Sequence, residues 1–352
     1  MPDLLTTLKE GRQIKQGWNE TNSGTFGTAA ADSDTYVAPA MEAMVIDRGL
    51  TGHTIPGTYG TRNQTHGDTI TNTKGAMAKF NVNCPFNYLD SDQLFYGWFQ
   101  KVAEAVGSPY IKTFTPFTTH PQFDSDAGHY MTFVKAYPAA GTSWKSNSSI
   151  CSRLKVSIDR DAHDALLWVE SDWISLDEGV VTSTAYADAT FSRTATTGIK
   201  YFNDVSRFLI DFNDSLSPTA DIAILQGLSF EMTHDVQGLS PDGSGGWGTI
   251  GMSNRQMNFE IRTLKDANFE SMLTNQSTDG DIRILLNFGT AGTPTATGDV
   301  EFDVYGKINP DGIAVDEESL LGATITGTIS QETDQATEPI TITMGNDVDR
   351  TW

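Results

Sequence analysis

Alternating apolar and polar positions occur in two similar blocks along the chain, and each block continues into a segment with helical periodicity. Side chains two residues apart on a strand share one face, so alternation predicts a half-buried strand. In each block an apolar strand and a long polar loop come first, and three more alternating segments follow. This repeated order indicates an internal duplication. The alternating side chains are Ala78, Phe80, Val82 and Cys84 in the first block, and Met257, Phe259 and Ile261 in the second.

An amphipathic helix is predicted after the first of these strands. Asp90 followed by Gln93 has the form of a capping box, and Leu89 with Leu94 has the form of a hydrophobic staple. The apolar stripe consists of Leu94, Phe95, Trp98, Phe99, Val102, Ala105 and Val106, and it ends before Gly107 and Pro109. We interpret this stripe as core. A shorter helix with Phe269, Met272 and Leu273 is predicted in the second block, capped by Thr263 or Asp266.

The pattern predicts a mainly β fold: two tandem antiparallel β-sandwich or barrel-like domains, each with one flanking α-helix. The further strands are predicted at Met44–Ile46, Tyr130–Ala136, Ile150–Ile158, Leu166–Ile174, Phe208–Ile210, Ile222–His234, Ile282–Phe288, Val300–Val304, Leu321–Ile329 and Ile340–Met344. The predicted organisation is an extended N-terminal arm (1–40), a first domain (41–178), a linker (179–200) and a second domain (201–352).

The predicted arm is rich in Gly, Thr, Ala and Asn and has little apolar surface to bury. Such a segment is expected to order against another surface rather than to fold alone. We therefore expect removal of residues 1–35 to leave both domains folded and to impair assembly.

Composition narrows the classes of function. The 352 residues include 45 acidic and 23 basic side chains, a formal net charge of −22, which opposes tight wrapping of nucleic acid. Cys84 and Cys151 both lie in alternating segments and are interpreted as buried free thiols. The N-terminus lacks the pattern of a signal peptide, and no segment approaches the ~20 apolar residues of a membrane helix. We expect assembly in a reducing cytoplasm.

No catalytic, cofactor-binding or metal-binding residues are predicted, and no cofactor. Gly243–Gly248 is glycine-rich but lacks the Lys-Ser/Thr of a phosphate-binding loop. The acidic pairs, including Asp90 with Asp92 and Asp159 with Asp161, are interpreted as turns or helix caps. The histidines lack the spacing of a metal site; they are His53, His66, His120, His129, His163 and His234. The chain is not expected to be an enzyme.

Several segments resemble one protein family. Glu20-Thr21 with Gly24-Thr25-Phe26-Gly27-Thr28 is similar to the opening of tail tube (major tail) proteins of long-tailed bacteriophages. The further similar segments, which together extend over most of the chain, are Phe80–Phe99, Tyr130–Tyr137, Ile150–Ile158, Leu225–Met232 and Arg255–Leu273. The chain thus resembles a tail tube protein with a duplicated tube domain.

The resemblance implies a structural virion protein that polymerises into stacked rings, forming the tail tube through which DNA is ejected. It implies homo-oligomeric rings, with a trimer of pseudo-sixfold symmetry favoured and a hexamer also possible. Tail terminator and tail tip proteins would bind the tube, and a tape measure protein would occupy its lumen during assembly. Double-stranded DNA would pass without specific binding, repelled by a net negative lumen, and no membrane partner is implied. The location would be the virion tail, after assembly in the host bacterial cytoplasm. Residues 49–74 and 236–253 are the candidate ring-to-ring contacts.

Two alternatives remain open from the sequence. One is another virion β protein, such as a head decoration or connector protein, which would form compact particles rather than hollow tubes. The other is a carbohydrate-binding β module, in which aromatic side chains would stack on sugars. The candidates for stacking are Trp144, Trp168, Trp173 and Trp247, for which packing in a core or interface is the preferred interpretation.

Overall fold

The fold is given by a computed structural model, and the part of the chain that it describes is mainly β with one α-helix, which confirms the predicted fold class. The described residues are 15–19, 35–39, 41–47, 51–54, 69–72, 77–105, 107–117, 130–137, 142–146, 148–175, 180–182, 190–193, 195–211, 225–241, 247–264, 280–290, 294–315, 322–331 and 338–350.

Most of the predicted alternating segments form strands, but several further strands were not predicted, and much of the predicted loop 236–253 is paired as two strands. The helix is α1 (Ser91–Phe99), and short 3-10 turns occur at His163–Ala165, Thr196–Gly198 and Phe202–Asp204. The strands are β1 (Lys15–Asn19), β2 (Thr35–Ala38), β3 (Ile46–Asp47), β4 (Thr51–Thr54), β5 (Thr69–Asn72), β6 (Lys79–Pro85), β7 (Val102–Ala105), β8 (Tyr110–Phe114), β9 (Phe133–Tyr137), β10 (Thr142–Lys145), β11 (Ile150–Asp159), β12 (Leu167–Ile174), β13 (Val180–Thr182), β14 (Thr190–Arg193), β15 (Val205–Asp211), β16 (Leu225–Pro241), β17 (Trp247–Leu264), β18 (Asp281–Phe288), β19 (Val300–Val315), β20 (Gly322–Ile329) and β21 (Ile340–Asn346).

One continuous antiparallel sheet runs through both halves of the chain. Its first four strands are β3, β6, β12 and β11 in spatial order, and its next four are β16, β17, β20 and β19. In each half the third strand of the group is later in the chain than the fourth. The same strand order therefore occurs twice, and the two groups are joined where β11 pairs with β16.

The long strand β19 belongs to two layers. Its C-terminal part, Gly306–Val315, pairs with β20, whereas its N-terminal part lies between β18 and β21. From there a second layer runs through β21 to β8 and β7, which come from the first half of the chain. The first half thus supplies two strands to the layer that covers the second half.

A separate six-stranded sheet covers the first group of strands, in the order β13, β10, β9, β1, β2 and β14. Its aromatic side chains pack against those of the continuous sheet. The ring of Phe80 lies 5.0 Å from the rings of both Phe133 and Trp144, and Phe133 lies 4.7 Å from Trp173. These edge-on and tilted contacts fill the core between the two layers.

All nine residues of α1 are buried, so it is a core helix rather than an amphipathic surface helix. The prediction that it continues to Val106 is wrong. Gln100 adopts a left-handed conformation (φ 55°) and ends the helix. Val102–Ala105 then pairs with β8, because a hydrogen-bonded neighbour outweighs weak helix propensity.

The predicted capping box is also wrong. Asp90 occupies the N-cap position but makes no side-chain cap hydrogen bond. The Gln93 side chain instead accepts a hydrogen bond from the indole Nε1 of Trp18 at 2.5 Å. The Gln93 side chain, which the local sequence predicts to cap the helix, is therefore used in a contact with a distant residue, Trp18.

Two of the predicted connecting segments contain strands. The N-terminal arm contains β1 and β2, and Trp18 and Tyr36 are fully buried within the chain itself. The expectation of an arm without a core is therefore wrong for those residues, because β1 forms the centre of a sheet. The linker 179–200 contains β13 and β14, so its interpretation as an irregular connection is wrong there.

Other predictions lie partly outside the described residues. Within the predicted loop 49–74, β4 and β5 form an antiparallel pair. The second predicted helix and the segment Glu20–Thr28 lie outside the described residues. The division into two tandem domains stays a prediction: one hydrophobic cluster includes residues of both halves, for example Phe95 and Phe302, whose rings are 6.5 Å apart.

Candidate functional site: the join between the two halves

The join between the two halves is an antiparallel pair of long strands. Seven positions of β11 are in register with β16, from Arg153 opposite Thr233 to Asp159 opposite Gly227. Leu154, Val156 and Ile158 point into the core, so the residues between them point to the opposite side. We call this opposite side of the eight strands the polar face.

Arg153 connects three strands on the polar face. Its Nε donates a hydrogen bond to Glu231 on β16 at 2.5 Å. Its terminal nitrogens lie 3.5 Å from carboxylate oxygens of Glu170 and Asp172 on β12. Partial burial by itself would lower the pKa of Arg153, but the hydrogen bond to Glu231 and the three carboxylates raise it. The permanent positive charge thus draws the edge strands of the two halves together.

A second ion pair passes over the join. Arg262 on β17 binds the carboxylate of Asp159 on β11, and the side chain crosses β16 at Gly227. A Cβ atom at Gly227 would lie 3.0 Å from Nε and from a terminal nitrogen of Arg262. The absence of a side chain at Gly227 therefore leaves the space through which Arg262 reaches the other half.

The charges on the described part of the polar face are nearly balanced. Four of the five cations, namely Arg153, Lys155, Arg262 and Lys307, have a carboxylate within 4 Å. The carboxylates on this face outnumber these cations only slightly, so only a small part of the net charge of −22 lies on it. The charged side chains include Lys79, Arg153, Lys155, Arg262, Lys307, Asp47, Asp159, Glu170, Asp172, Glu231 and Glu260.

A shallow polar cavity of about 200 Å³ lies on this face at one end of the join. Side chains of both halves line it, among them Lys155, Glu170, Ser229 and Arg262. A tight turn borders the cavity, in which His163, Asp164 and Ala165 all have positive φ. Acidic and basic groups are mixed along its walls, so the cavity has no single charge with which to select a ligand.

The tryptophans proposed as sugar-stacking residues are covered. Trp144 and Trp173 are buried in the core. Trp168 lies on the polar face, but the His163 ring stacks on it at 4.6 Å with the planes 5° apart. The side chain of Trp247 lies outside the described part. The preferred interpretation of packing is confirmed for the first three.

The histidine side chains that the structure describes pack against aromatic rings and do not lie together in a cluster. His234 is buried with its ring 4.5 Å from that of Trp98 and 5.3 Å from that of Phe117. His66, His120 and His129 lie outside the described residues, as does the side chain of His53. Within the described ranges, no group of three or more His, Cys, Asp or Glu side chains is placed to hold a metal ion.

Both cysteines are buried free thiols, as predicted. Burial, and secondarily the nearby carboxylates of Asp90 and Asp172, raises the pKa of Cys84 and Cys151 respectively well above the ordinary value. Neither thiol has the low pKa of a reactive nucleophile. Among the residues that the structure describes, no helix is long and apolar enough to cross a membrane.

Sequence reasoning missed the charged residues of the join. Arg153, Glu231 and Arg262 alternate with core residues on their strands, and this alternation could have placed them on one face. It could not have paired them, because β11 and β16 are separated by more than sixty residues in the chain. No family model matches this chain, and no curated protein matches it in sequence.

Proposed function

We propose that this chain is the subunit of a bacteriophage tail tube, a structural virion protein that assembles into stacked rings and forms the conduit for DNA ejection. The observation that carries the proposal is the occurrence of the same four-strand order twice in one continuous sheet, joined edge to edge through β11 and β16. The two edges of each group are formed by different strands, β3 and β11 in the first group and β16 and β19 in the second. The kind of contact that joins β11 to β16 within the chain can therefore be repeated from chain to chain.

Repetition of such a join gives a ring. A contact between two different edges is head-to-tail. Repeated from unit to unit, it forms a closed ring when the rotation between neighbouring units is a whole fraction of a full turn. Closure also removes exposed sheet edges, which otherwise promote aggregation. Three chains with two groups each would give a ring of six similar units, and this trimer is the favoured assembly.

The polar face would line the lumen of such a ring, since the opposite face is covered by the second layer. Lys155, Glu170 and the other paired charges would then meet DNA in transit without a continuous positive surface to hold it. The tail terminator, tail tip and tape measure proteins would be the assembly partners, and the virion tail the location.

The alternative of a head decoration or connector protein shares the β fold and is distinguished only by assembly. The carbohydrate-binding alternative is disfavoured, because Trp144, Trp168 and Trp173 have little exposed ring surface. Residual binding to a glycan array by the purified chain would bring it back.

Negative-stain electron microscopy of the purified chain at high concentration tests the proposal. Hollow tubes, or stacked rings with a central hole, are the expected result, and end views with three-fold or pseudo-six-fold symmetry would identify the trimer. Compact particles that bind capsids, with no tubes even when tail tip proteins are added as initiators, would contradict it.

A further inference from the structure

Three polar side chains meet in the core beside the pair of strands β8 and β21: Lys112, Asp92 and Asn346. All three are fully buried. We propose that Lys112 and Asn346 react with each other in the folded chain and form an amide cross-link, with Asp92 as the group that transfers the protons. One molecule of ammonia would be released for each cross-link. This proposal does not depend on the proposed function.

Strand register brings the two reacting residues to one face of the sheet. Lys112 on β8 lies opposite Met344 on β21, and Tyr110 lies opposite Asn346. Lys112 and Asn346 are therefore diagonal neighbours on the same face, a spacing that a long side chain can bridge. The cross-link would join a strand of the first half of the chain to the last strand of the second half.

One oxygen atom of Asp92 contacts both reacting groups. The Nζ of Lys112 donates a hydrogen bond to Oδ2 at 2.7 Å, and the Nδ2 of Asn346 donates to the same oxygen at 3.1 Å. A general acid or base must lie within hydrogen-bond reach of the proton that it moves, and Oδ2 satisfies this requirement for both nitrogens. Asp92 can therefore take a proton from the nucleophile and give one to the leaving group.

The backbone of Val348 holds both the nucleophile and the carbonyl group. Its carbonyl oxygen accepts a hydrogen bond from Nζ of Lys112 at 2.8 Å. Its N–H donates to Oδ1 of Asn346 at 3.1 Å. A backbone donor on this oxygen stabilises the negative charge that develops when an amine adds to the carbonyl carbon.

The reaction balances with the groups that the site contains. The Lys112 ammonium passes a proton to Asp92, and the neutral amine adds to Cγ of Asn346. The Nζ–Cγ bond forms, and the Cγ–Nδ2 bond breaks as Asp92 protonates Nδ2, which leaves as ammonia. The second proton lost from Nζ passes through Asp92 to the ammonia, which departs as ammonium, and Asp92 returns to its carboxylate form.

Burial favours the product of this reaction. Asp92 contacts two cations, Lys112 and Arg350, and burying a charge is costly even when the charge is paired. Conversion of Lys112 to a neutral amide removes one buried cation and leaves Asp92 paired with Arg350. The site also lies close to the surface, because the nearby Asp347 and Asp349 are exposed. Ammonium therefore has a short path to solvent.

Tryptic digestion and mass spectrometry of the wild-type chain, after prolonged incubation at neutral pH, test the proposal. Acylation removes the charge of lysine, and trypsin then no longer cleaves after it. Residues 102–135 should therefore remain one peptide, joined to the peptide 308–350. The mass of this branched product should be lower than the sum of the two peptides by one ammonia. Cyclisation of Asn346 onto its own backbone also releases ammonia, so the branched peptide identifies the cross-link and the mass alone does not.

Three variants assign the roles, and each should abolish the branched peptide. Lys112→Arg removes the primary amine and keeps the charge, Asn346→Gln displaces the amide by one methylene group, and Asp92→Ala removes the group that transfers the protons. Lys101 is the matched control within the same digest. Its Nζ lies 3.1 Å from a carboxylate oxygen of Glu338 at the surface, and cleavage after Lys101 should be normal.

The wild-type digest decides the proposal whether or not the variants fold. Normal cleavage after Lys112 and no branched peptide after incubation would overturn it. A branched product that is lighter by one water and contains the Asp92 peptide would also overturn it, because the bond would then join Lys112 to Asp92. A cross-link formed in wild-type yield by Asp92→Ala would overturn the role of Asp92 in proton transfer.

Discussion

The carboxylate of Asp92 lies 2.7 Å from the ammonium nitrogen of Lys112, and both side chains are fully buried. Arg350 adds a second cation, with Nε 2.9 Å from the same carboxylate oxygen, and Asn346 donates to it at 3.1 Å. These contacts join the first turn of α1 to β8 and to the C-terminal segment of the chain. One charged group that is excluded from water therefore connects the first half of the chain to the end of the second half.

Neutralising this carboxylate should destabilise the fold strongly. Asp92→Asn leaves Lys112 and Arg350 buried without their counter-charge, and breaking a buried ion pair typically costs about 3–5 kcal/mol. Urea denaturation at pH 7 measures the effect. The matched control is Asp281→Asn, which breaks a 3.6 Å pair with Lys307 whose cation is more than half exposed, and it should cost no more than about 1 kcal/mol. Equal losses in the two variants would mean that Asp92 has no special role.

The Asp92 carboxylate should also make the stability of the fold depend on pH. Burial by itself would raise the pKa of Asp92, but the charges and hydrogen bonds of Arg350 and Lys112 lower it below the ordinary value. A lowered folded-state pKa contributes stability above the unfolded-state pKa, near 4, and that contribution is lost as the pH falls through the folded-state pKa. The difference in free energy of unfolding between wild type and Asp92→Asn should be constant from about pH 7 to 5 and shrink below about pH 4. A difference that grows as the pH falls would contradict this sign.

The N-terminal strand should be needed for folding as well as for assembly. Trp18 on β1 is fully buried, and its ring lies 6.1 Å from that of Phe133. Trp18→Ala should cost about 3–5 kcal/mol, as expected for a large buried aromatic side chain. Removal of residues 1–35 should lower the melting temperature of the remaining chain, contrary to the expectation from sequence. An unchanged melting temperature would show that β1 adds no stability. Asn258→Ala, at a solvent-exposed position of β17, is the control for the substitution.

A glycine on β20 should resist substitution because an aromatic ring lies over it. A Cβ atom at Gly327 would be 2.2 Å from Cζ of Phe259 and 2.4 Å from the Lys307 carbonyl oxygen. Since the carbonyl belongs to a paired strand and cannot move freely, Gly327→Ala should cost about 1–3 kcal/mol. Thr324→Ala, on the polar face of the same strand, should stay within about 0.5 kcal/mol. Thermal unfolding of the two variants measures the difference, and equal melting temperatures would count against the packing of Phe259.

Local pattern was sufficient for most strands because alternation is a property of consecutive residues. Phe80 and Val82, or Phe259 and Ile261, reveal a buried face without knowledge of their partners. The same reasoning failed at Val102–Ala105. Its apolar spacing fits a helix, but pairing with β8 supplies interstrand hydrogen bonds along one edge of the segment.

The charged groups show a different limit. Asp92 was interpreted as part of a turn or cap, since an Asp near a helix start is ordinary in sequence. Its partners Lys112 and Arg350 come from distant segments, and no local rule connects them. Arg153 and Glu231 on the polar face were missed for the same reason.

The sequence by itself determined the β class, the repeated order of strands and the buried state of both thiols, because these depend on periodicity and hydrophobicity along short segments. Only the tertiary structure decided that β11 pairs with β16, that β8 completes a layer with β21, and that Asp92 is buried among cations. Those outcomes depend on which strand edges and charged groups come together in space. A strand edge or a charged side chain can pair with many partners, and the packing of the whole fold determines which of them it contacts.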